Sequence, residues 1–586
     1  MRFKRALLLV VLLALLVVGY AGWRVTQVRS DLQTASTSAS RLQDALAAGD
    51  QQAAERELVL LRDSSASASY RTGGPLWSTL SAVPFLGDDA AAVRTASRAL
   101  EALTRDGLTP LVRSSAGLEA GAFTPNNGTF PLAGVTALAK PVAAGATAFL
   151  AADELLAGVD TNGLVGPVRS PFEELATVVH ESAGSLSSAD RAIRLLPTML
   201  GSQRARRYLL IFQNNAEVRA SGGMPGAVAV LEADQGRVRM TRLATASDFR
   251  QLAEPILPLT EDEQEVFGDQ LGVYFQDANF TPDFARTAAL MAARWQQRYD
   301  ERLDGVLSVD PVAMSYLLGA TRPVTAGGIA LSADTVVEEL LNRTYLRLED
   351  PAEQDAFFRD VAQQVFEALS SGTGSPQVLI EALARGASEG RLKVHSFDAD
   401  EQQALGGTQV AGEFPGASVP ASPRPQVGVF LNDATGSKMS YYLGYETRVA
   451  SVSCTDDRQQ LTGRLTMASR TPRGARSLPV SITGGGVHDI PPGSQLVATD
   501  VYGPVGGSMS HFVLDGRRLA VKQKEYDGRP VVSLALYLDP GQQVVVTWRM
   551  VTGPGQNGDV AVSVTPGVHP EDESSVSASA CGADRS

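Results

Sequence analysis

Residues Ala6 to Trp23 carry no charge, and Arg2, Lys4 and Arg5 stand directly before them. This run constrains the chain more than any other feature. An apolar stretch of about 17–25 residues is what a helix needs to cross a bilayer. Basic residues flanking such a span stay on the cytoplasmic side. The sequence therefore predicts a cytoplasmic flank at 1–5, a single-pass transmembrane helix at 6–23, and an extracytoplasmic remainder. A second reading stays open. Gly19 and Ala21 are small and fit positions −3 and −1 of a signal-peptide cleavage after Ala21, which would release a secreted protein.

The remainder divides into three regions. Residues 24–203 read as a helical stalk or bundle. Leu32, Ala35, Ala39, Leu42 and Leu46 recur at helical spacing, and Gly73-Gly74-Pro75 and Pro84 interrupt the pattern. Residues 204–405 read as an α/β domain. Tyr208–Phe212, Ala227–Leu231 and Val306–Val309 have the apolar content and length of buried strands. Helical patterns lie between and after them at 282–299, 334–346, 352–369 and 377–385, with Thr281 and Ser332 as expected N-caps. Residues 406–425 are rich in Gly, Pro, Ala and Ser and read as a linker. Residues 426–567 show short alternating segments separated by turn residues, from Val427–Leu431 through Leu478–Ile482 to Gln543–Met550, as in an antiparallel β-sandwich. Residues 568–586 read as a mobile tail. The fold class is thus multidomain α+β: an N-terminal membrane helix and helical region, a central α/β domain and a C-terminal antiparallel β-sandwich.

Composition closes off several functions. The chain has 64 acidic against 51 basic residues, a net charge of −13, which argues against nucleic acid as a partner. Two Cys and five scattered His supply no metal site, and no cofactor fingerprint occurs. No His-Glu-x-x-His is present. Cys454 and Cys581 would oxidise outside the cytoplasm and tie the tail to the sandwich; two free thiols are the alternative.

The densest polar cluster follows the first expected strand: Gln213-Asn214-Asn215-Ala216-Glu217-Val218-Arg219-Ala220-Ser221-Gly222-Gly223. Asn214, Asn215, Glu217 and Arg219 offer amides, a carboxylate and a planar guanidinium fork at a strand end, where α/β sheets bind ligands. Gly222 and Gly223 would allow close backbone approach. Two acids stand nearby as candidate bases or metal ligands: Asp283 in Asn279–Phe284, and Asp310 ahead of Pro311. The bland reading assigns these residues to turns, caps and ion pairs.

The string from Arg207 to Gly223 resembles the signature of the family called domain of unknown function 4012. Asn279–Phe284, Leu303–Pro311, Asn432–Tyr442 and the earlier Trp77–Gly87 resemble further parts of it. The resemblance implies a bacterial envelope protein with one N-terminal span, and it brings no established activity and no catalytic residues. The middle region is also similar, more distantly, to LytR-CpsA-Psr glycopolymer transferases, although no Arg-Asp signature of that kind matches residue by residue. Two functions follow as expectations. One is a non-enzymatic binding or assembly module, held in the lipid bilayer by residues 6–23, that meets cell-wall polysaccharide or other envelope proteins. The other is a transferase or hydrolase of phosphate-linked glycopolymers, with Arg219 on the phosphate and Asp283 or Asp310 as base. The second requires Arg219, Asn214 and an acid to converge in an open cleft.

Overall fold

The computed structural model describes residues 2–83, 86–116, 125–418, 422–569 and 575–581. The chain divides into two compact units, one of residues 1–123 and 131–198, the other of 124–130 and 199–586.

The first unit is helical. Its first helix, Arg2–Ala47, runs unbroken through the predicted span, whose side chains up to residue 21 lie outside the described residues. Beyond the span, the helix buries Val28, Ala35, Ser38, Leu42 and Ala45. The expected face is therefore corrected. Ala39 and Leu46 are exposed, because the buried seam steps by 3 and 4 residues through Ser38 and Ala45. The partner is helix Gln51–Thr72, which contributes Ala54, Leu58 and Leu61. Asp31 pairs with Arg71 at 2.7 Å across the two helices.

Among the described residues, helix Leu132–Ala157 is long and apolar enough to cross a membrane by length and composition. However, 39% of its most apolar window is buried. Phe149, Ala152 and Leu156 pack with Ala92, Ala96, Ala99 and Leu103 of the preceding helical segment and with Phe172 and Val179 of the next helix. That is how the core helix of a bundle behaves.

The second unit begins with a five-stranded sheet of order β3-β2-β1-β4-β7. Its strands are β1 (Arg206–Arg219), β2 (Gly222–Asp234), β3 (Arg237–Thr245), β4 (Gly305–Val309) and, after a small hairpin of β5 (Val324–Ala326) and β6 (Ile329–Leu331), β7 (Lys393–Ser396). Only the β1–β4 pair of this sheet is parallel. Helices cover both faces, as the alternation in β1 requires. Leu209 and Ile211 pack with Phe284, Ala288, Met291 and Trp295 of helix Phe284–Tyr299. Leu210 and Phe212 turn the other way, toward Ala313 and Leu317 of helix Pro311–Gly319 and Ala382 of helix Pro376–Ser388.

The sandwich follows. One sheet has order β13-β12-β16-β10-β9 and the other β14-β15-β11-β8-β17-β18. In chain order these are β8 (Gln426–Asp433), β9 (Leu443–Thr455), β10 (Arg458–Ser469), β11 (Gln495–Tyr502), β12 (Ser508–Leu514), β13 (Arg517–Arg518), β14 (Gln523–Tyr526), β15 (Arg529–Leu538), β16 (Gln543–Val551), β17 (Val560–Val564) and β18 (Ser575–Ser577). The pairing is antiparallel except between β17 and β8. Trp548, Phe512, Leu461 and Val546 fill the core between the sheets.

Four local expectations change. Leu478–Ile482 is not a strand: a short helix occupies Val480–Thr483. Helix 282–299 begins at Phe284, and its cap is Asp283, which accepts from Ala285 N, while Thr281 accepts from Asp283 N. The helix expected over 334–346 starts at Val336 and passes through a wider turn at Glu339–Arg343, and Thr335 stands at its N-cap in place of Ser332. Residues 575–577, assigned to the mobile tail, pair with β17. Four residues later, Cys581 is bonded to Cys454 (S–S 1.97 Å), closing 127 residues of sequence. Within the Gly- and Pro-rich stretch before the sandwich, Phe414 is buried against Phe430 and Tyr502.

Candidate functional site

β1 does not end at Phe212, as the apolar run suggested. It continues to Arg219, and its pairing with β2 jumps from Asn214↔Met224 to Val218↔Gly223. Asn215, Ala216 and Glu217 form the bulge between these pairs. Bulges of this kind re-aim side chains while the ladder continues. Beyond the bulge, Ala220 and Ser221 turn the chain into Gly222, whose φ is 141°. A Cβ there would stand 2.1 Å from Gln213 Oε1, and one at Gly223 would stand 2.2 Å from the Asn214 carbonyl carbon. Both glycines admit the tight return of the hairpin over its own strand.

The hairpin tip leaves the α/β sheet and enters the sandwich. Val218 belongs to the sandwich core. Ala220 N donates to Asn432 Oδ1 at 3.0 Å, and Thr565 Oγ1 donates to Ala220 O at 3.1 Å. Asn432 lies on β8, and Thr565 directly follows β17. Asn279 Nδ2 donates to Ser221 Oγ and to Gly223 O, and Lys393 Nζ donates to Ser221 O at 2.6 Å. Three of the strings that carried the family resemblance, Arg207–Gly223, Asn279–Phe284 and Asn432–Tyr442, thus meet in one buried polar junction.

Arg219 is 4% exposed. Its Nη2 lies 2.8 Å from Glu217 Oε1 and 3.5 Å from Asp277 Oδ1, its Nη1 donates to Val218 O, and its guanidinium stands 4.9 Å from the centre of the Phe280 ring. Lys438 Nζ approaches the other Glu217 oxygen at 3.6 Å and sits over the Tyr345 ring. Asn214 Nδ2 donates to Tyr345 OH at 2.6 Å. Asn215 Nδ2 donates to Asp310 Oδ2 at 3.1 Å and to Pro566 O. Asp310 also caps helix Pro311–Gly319 through Ala313 N and pairs with Arg391 at 3.0 Å, with both side chains almost wholly buried. Arg391 reaches Gly567 O from there, a further tie to the sandwich.

Burial sets the protonation equilibria here. It pushes Asp277 up to about 6, against the pull of Arg219. It pushes Asp433 up to about 6, helped by the charge of Glu217. Burial also raises Asp283 to about 6 and lowers Lys393 to about 8. In each case the charged form is the one disfavoured.

The candidate residues are therefore brought together in part. Asn214, Glu217 and Arg219 share one network through Tyr345 and Lys438. Asn215 and Asp310 share a second, and Asp283 caps a helix apart from both. The transferase reading needed Arg219, Asn214 and an acid to open on a cleft, and Arg219 is instead sealed between two carboxylates. Arg391 and Lys393 had no role in the sequence reading, since no local pattern marks a residue whose partner is more than 80 positions away, and Asp433 and Lys438 entered it only within the Asn432–Tyr442 string.

One opening does lie beside the bulge. A cleft of about 400 Å³ is lined by Glu217, Met224, Ser247, Phe249, Gln251, Tyr274 and Gln276, among others. Apart from Glu217 and Met224, these residues come from the segments that follow β3, which the sequence reading left unassigned.

No curated protein sequence matches the chain. A crystal structure of a transcriptional regulator from Enterococcus faecalis is similar over 36% of this chain and 74% of its own, at 13% identity and a TM-score of 0.22. Likeness at that level carries no argument about function. Residues 203–345 match the family model described as protein of unknown function (DUF4012), and the Arg207–Gly223 hairpin at the centre of the junction falls inside that match.

Proposed function

We propose that the protein is an envelope protein anchored by residues 6–23, with its ectodomain outside the cytoplasm acting as a binding or assembly module. The burial of Arg219 between Glu217 and Asp277 carries this reading, because it commits the main candidate for phosphate chemistry to holding the fold. The Cys454–Cys581 bond supports the compartment, since such bonds persist in oxidising surroundings. The cleft beside Glu217 is the ligand site of this module. Its Gln and Ser groups supply hydrogen bonds, and Phe249 and Tyr274 supply ring surface, a combination suited to a hydroxyl-rich glycan segment.

Protease added to intact spheroplasts tests the placement. A C-terminal epitope should be removed while a cytoplasmic marker survives; a protected epitope would sink the proposal. Ser247→Trp, which fills the cleft, should abolish retention of the purified protein on neutral wall glycan without changing its melting temperature.

A further inference from the structure

The sandwich carries a second opening, on the outer face of sheet β13-β12-β16-β10-β9. It is a groove of about 440 Å³ lined by Arg448, Arg464, Arg549, His511, Thr462 and Thr547, among others. The register explains why the guanidiniums gather there. Arg448 of β9 stands directly opposite Arg464 of β10, and Arg464 stands opposite Thr547 of β16. Two residues along, Thr462 faces Arg549. Side chains two apart on a strand share a face, so three guanidiniums project from three adjacent strands.

This arrangement works against the fold. Like charges directly opposite across a ladder are destabilising. Arg448 has an ion pair with Glu446 of its own strand at 2.6 Å, with the arginine largely exposed, and such pairs contribute little. Arg464 and Arg549 are exposed and have no carboxylate partner among the described residues. The concentration of positive charge also runs counter to a chain whose net charge is −13.

Two backbone features shape the same groove. β12 bulges between Ser510 and Val513, and His511 within the bulge has a φ of 56°, a left-handed conformation uncommon outside glycine. At Gly463, which faces the sandwich core beneath the groove, a Cβ would stand 2.1 Å from the Trp548 indole, so only glycine leaves room for the ring under the groove floor.

We propose that this groove binds a polyanionic chain with repeated phosphates, such as a phosphodiester-linked envelope polymer. Guanidinium forks match phosphate oxygens in pairs, and several of them on adjacent strands suit successive phosphates better than one isolated anion. The inference rests on the proposed extracytoplasmic placement for which polymer is met, and it is independent of the cleft beside Glu217.

The test is calorimetric titration of the full chain in detergent with a synthetic glycerol-phosphate oligomer. The native chain should bind it, with affinity falling as salt rises. Arg464→Gln with Arg549→Gln should weaken binding at least tenfold without lowering the melting temperature, since both side chains are exposed and their charges repel. Arg464→Lys with Arg549→Lys should keep part of the affinity. Ser247→Trp should leave it intact, which separates this site from the cleft. Absence of binding, or equal binding by the double Gln variant, would overturn the proposal. Equal affinity for a uronate polymer or for single-stranded DNA would overturn the assignment to a phosphodiester envelope polymer.

Discussion

Arg219 shows how one side chain changes meaning once its neighbours are known. In sequence it is a guanidinium beside two glycines, a plausible anion holder. In the structure it is almost wholly buried and pairs with Glu217 and Asp277. Removing one partner of a buried pair leaves an uncompensated charge and costs about 3–5 kcal/mol. Arg219→Ala should therefore lower stability by that order, read as a shift of the unfolding midpoint in denaturant with an unchanged slope.

Asp500 offers a second test at this scale. It is buried on β11, and burial pushes its carboxyl up to about 6. A carboxyl raised in the folded state contributes stability that is full below its unfolded pKa of about 3.9 and is lost as pH rises through about 6. Asp500→Asn should thus be more stable than the native chain at pH 7, by about 2–3 kcal/mol, and close to it at pH 4. Equal differences at both pH values would refute the assignment.

At the scale of elements, β1 shows what sequence patterning reveals and what it hides. The apolar run Tyr208–Phe212 marks the strand because its side chains are buried on both faces. Residues 213–219 are mostly polar and resemble a loop, yet they remain strand, because Asn214, Asn215, Glu217 and Arg219 each meet a partner distant in the chain. Asn432, Thr565 and Lys393 lie more than 170 positions from the residues they hold. Periodicity reports burial against apolar surroundings and says nothing about polar burial.

The same limit explains Leu478–Ile482, where an apolar alternation was too short to separate strand from helical turn. Within the α/β half, the helices at 352–369 and 377–385 were legible from their helical patterns, and the structure starts each one residue earlier, at a proline behind the caps Asp350 and Ser375. Two predictions belong here. Gly222→Ala forces a side chain into a φ of 141° against Gln213, and should cost about 1–3 kcal/mol in an unfolding titration. Reducing the Cys454–Cys581 bond frees a long loop in the unfolded chain, worth up to about 5 kcal/mol in the chain-entropy view. Melting with and without reductant should differ, and an identical midpoint would mean that the bond adds nothing.

On the scale of the whole molecule, the sequence read as separate α/β and sandwich regions, and residues 199–586 form one compact unit. The shared hairpin is the physical reason, since Val218 packs in the sandwich core while Leu209 and Ile211 of the same strand pack in the α/β core. The central claim is that the signature residues hold these halves together. Calorimetric unfolding of the native chain beside Arg219→Ala and Asp310→Asn tests it most directly. The α/β and sandwich parts should melt in one transition, and both variants should lower it by several degrees or split it in two. Variants that melt at the native temperature while losing function in the cell would contradict the account.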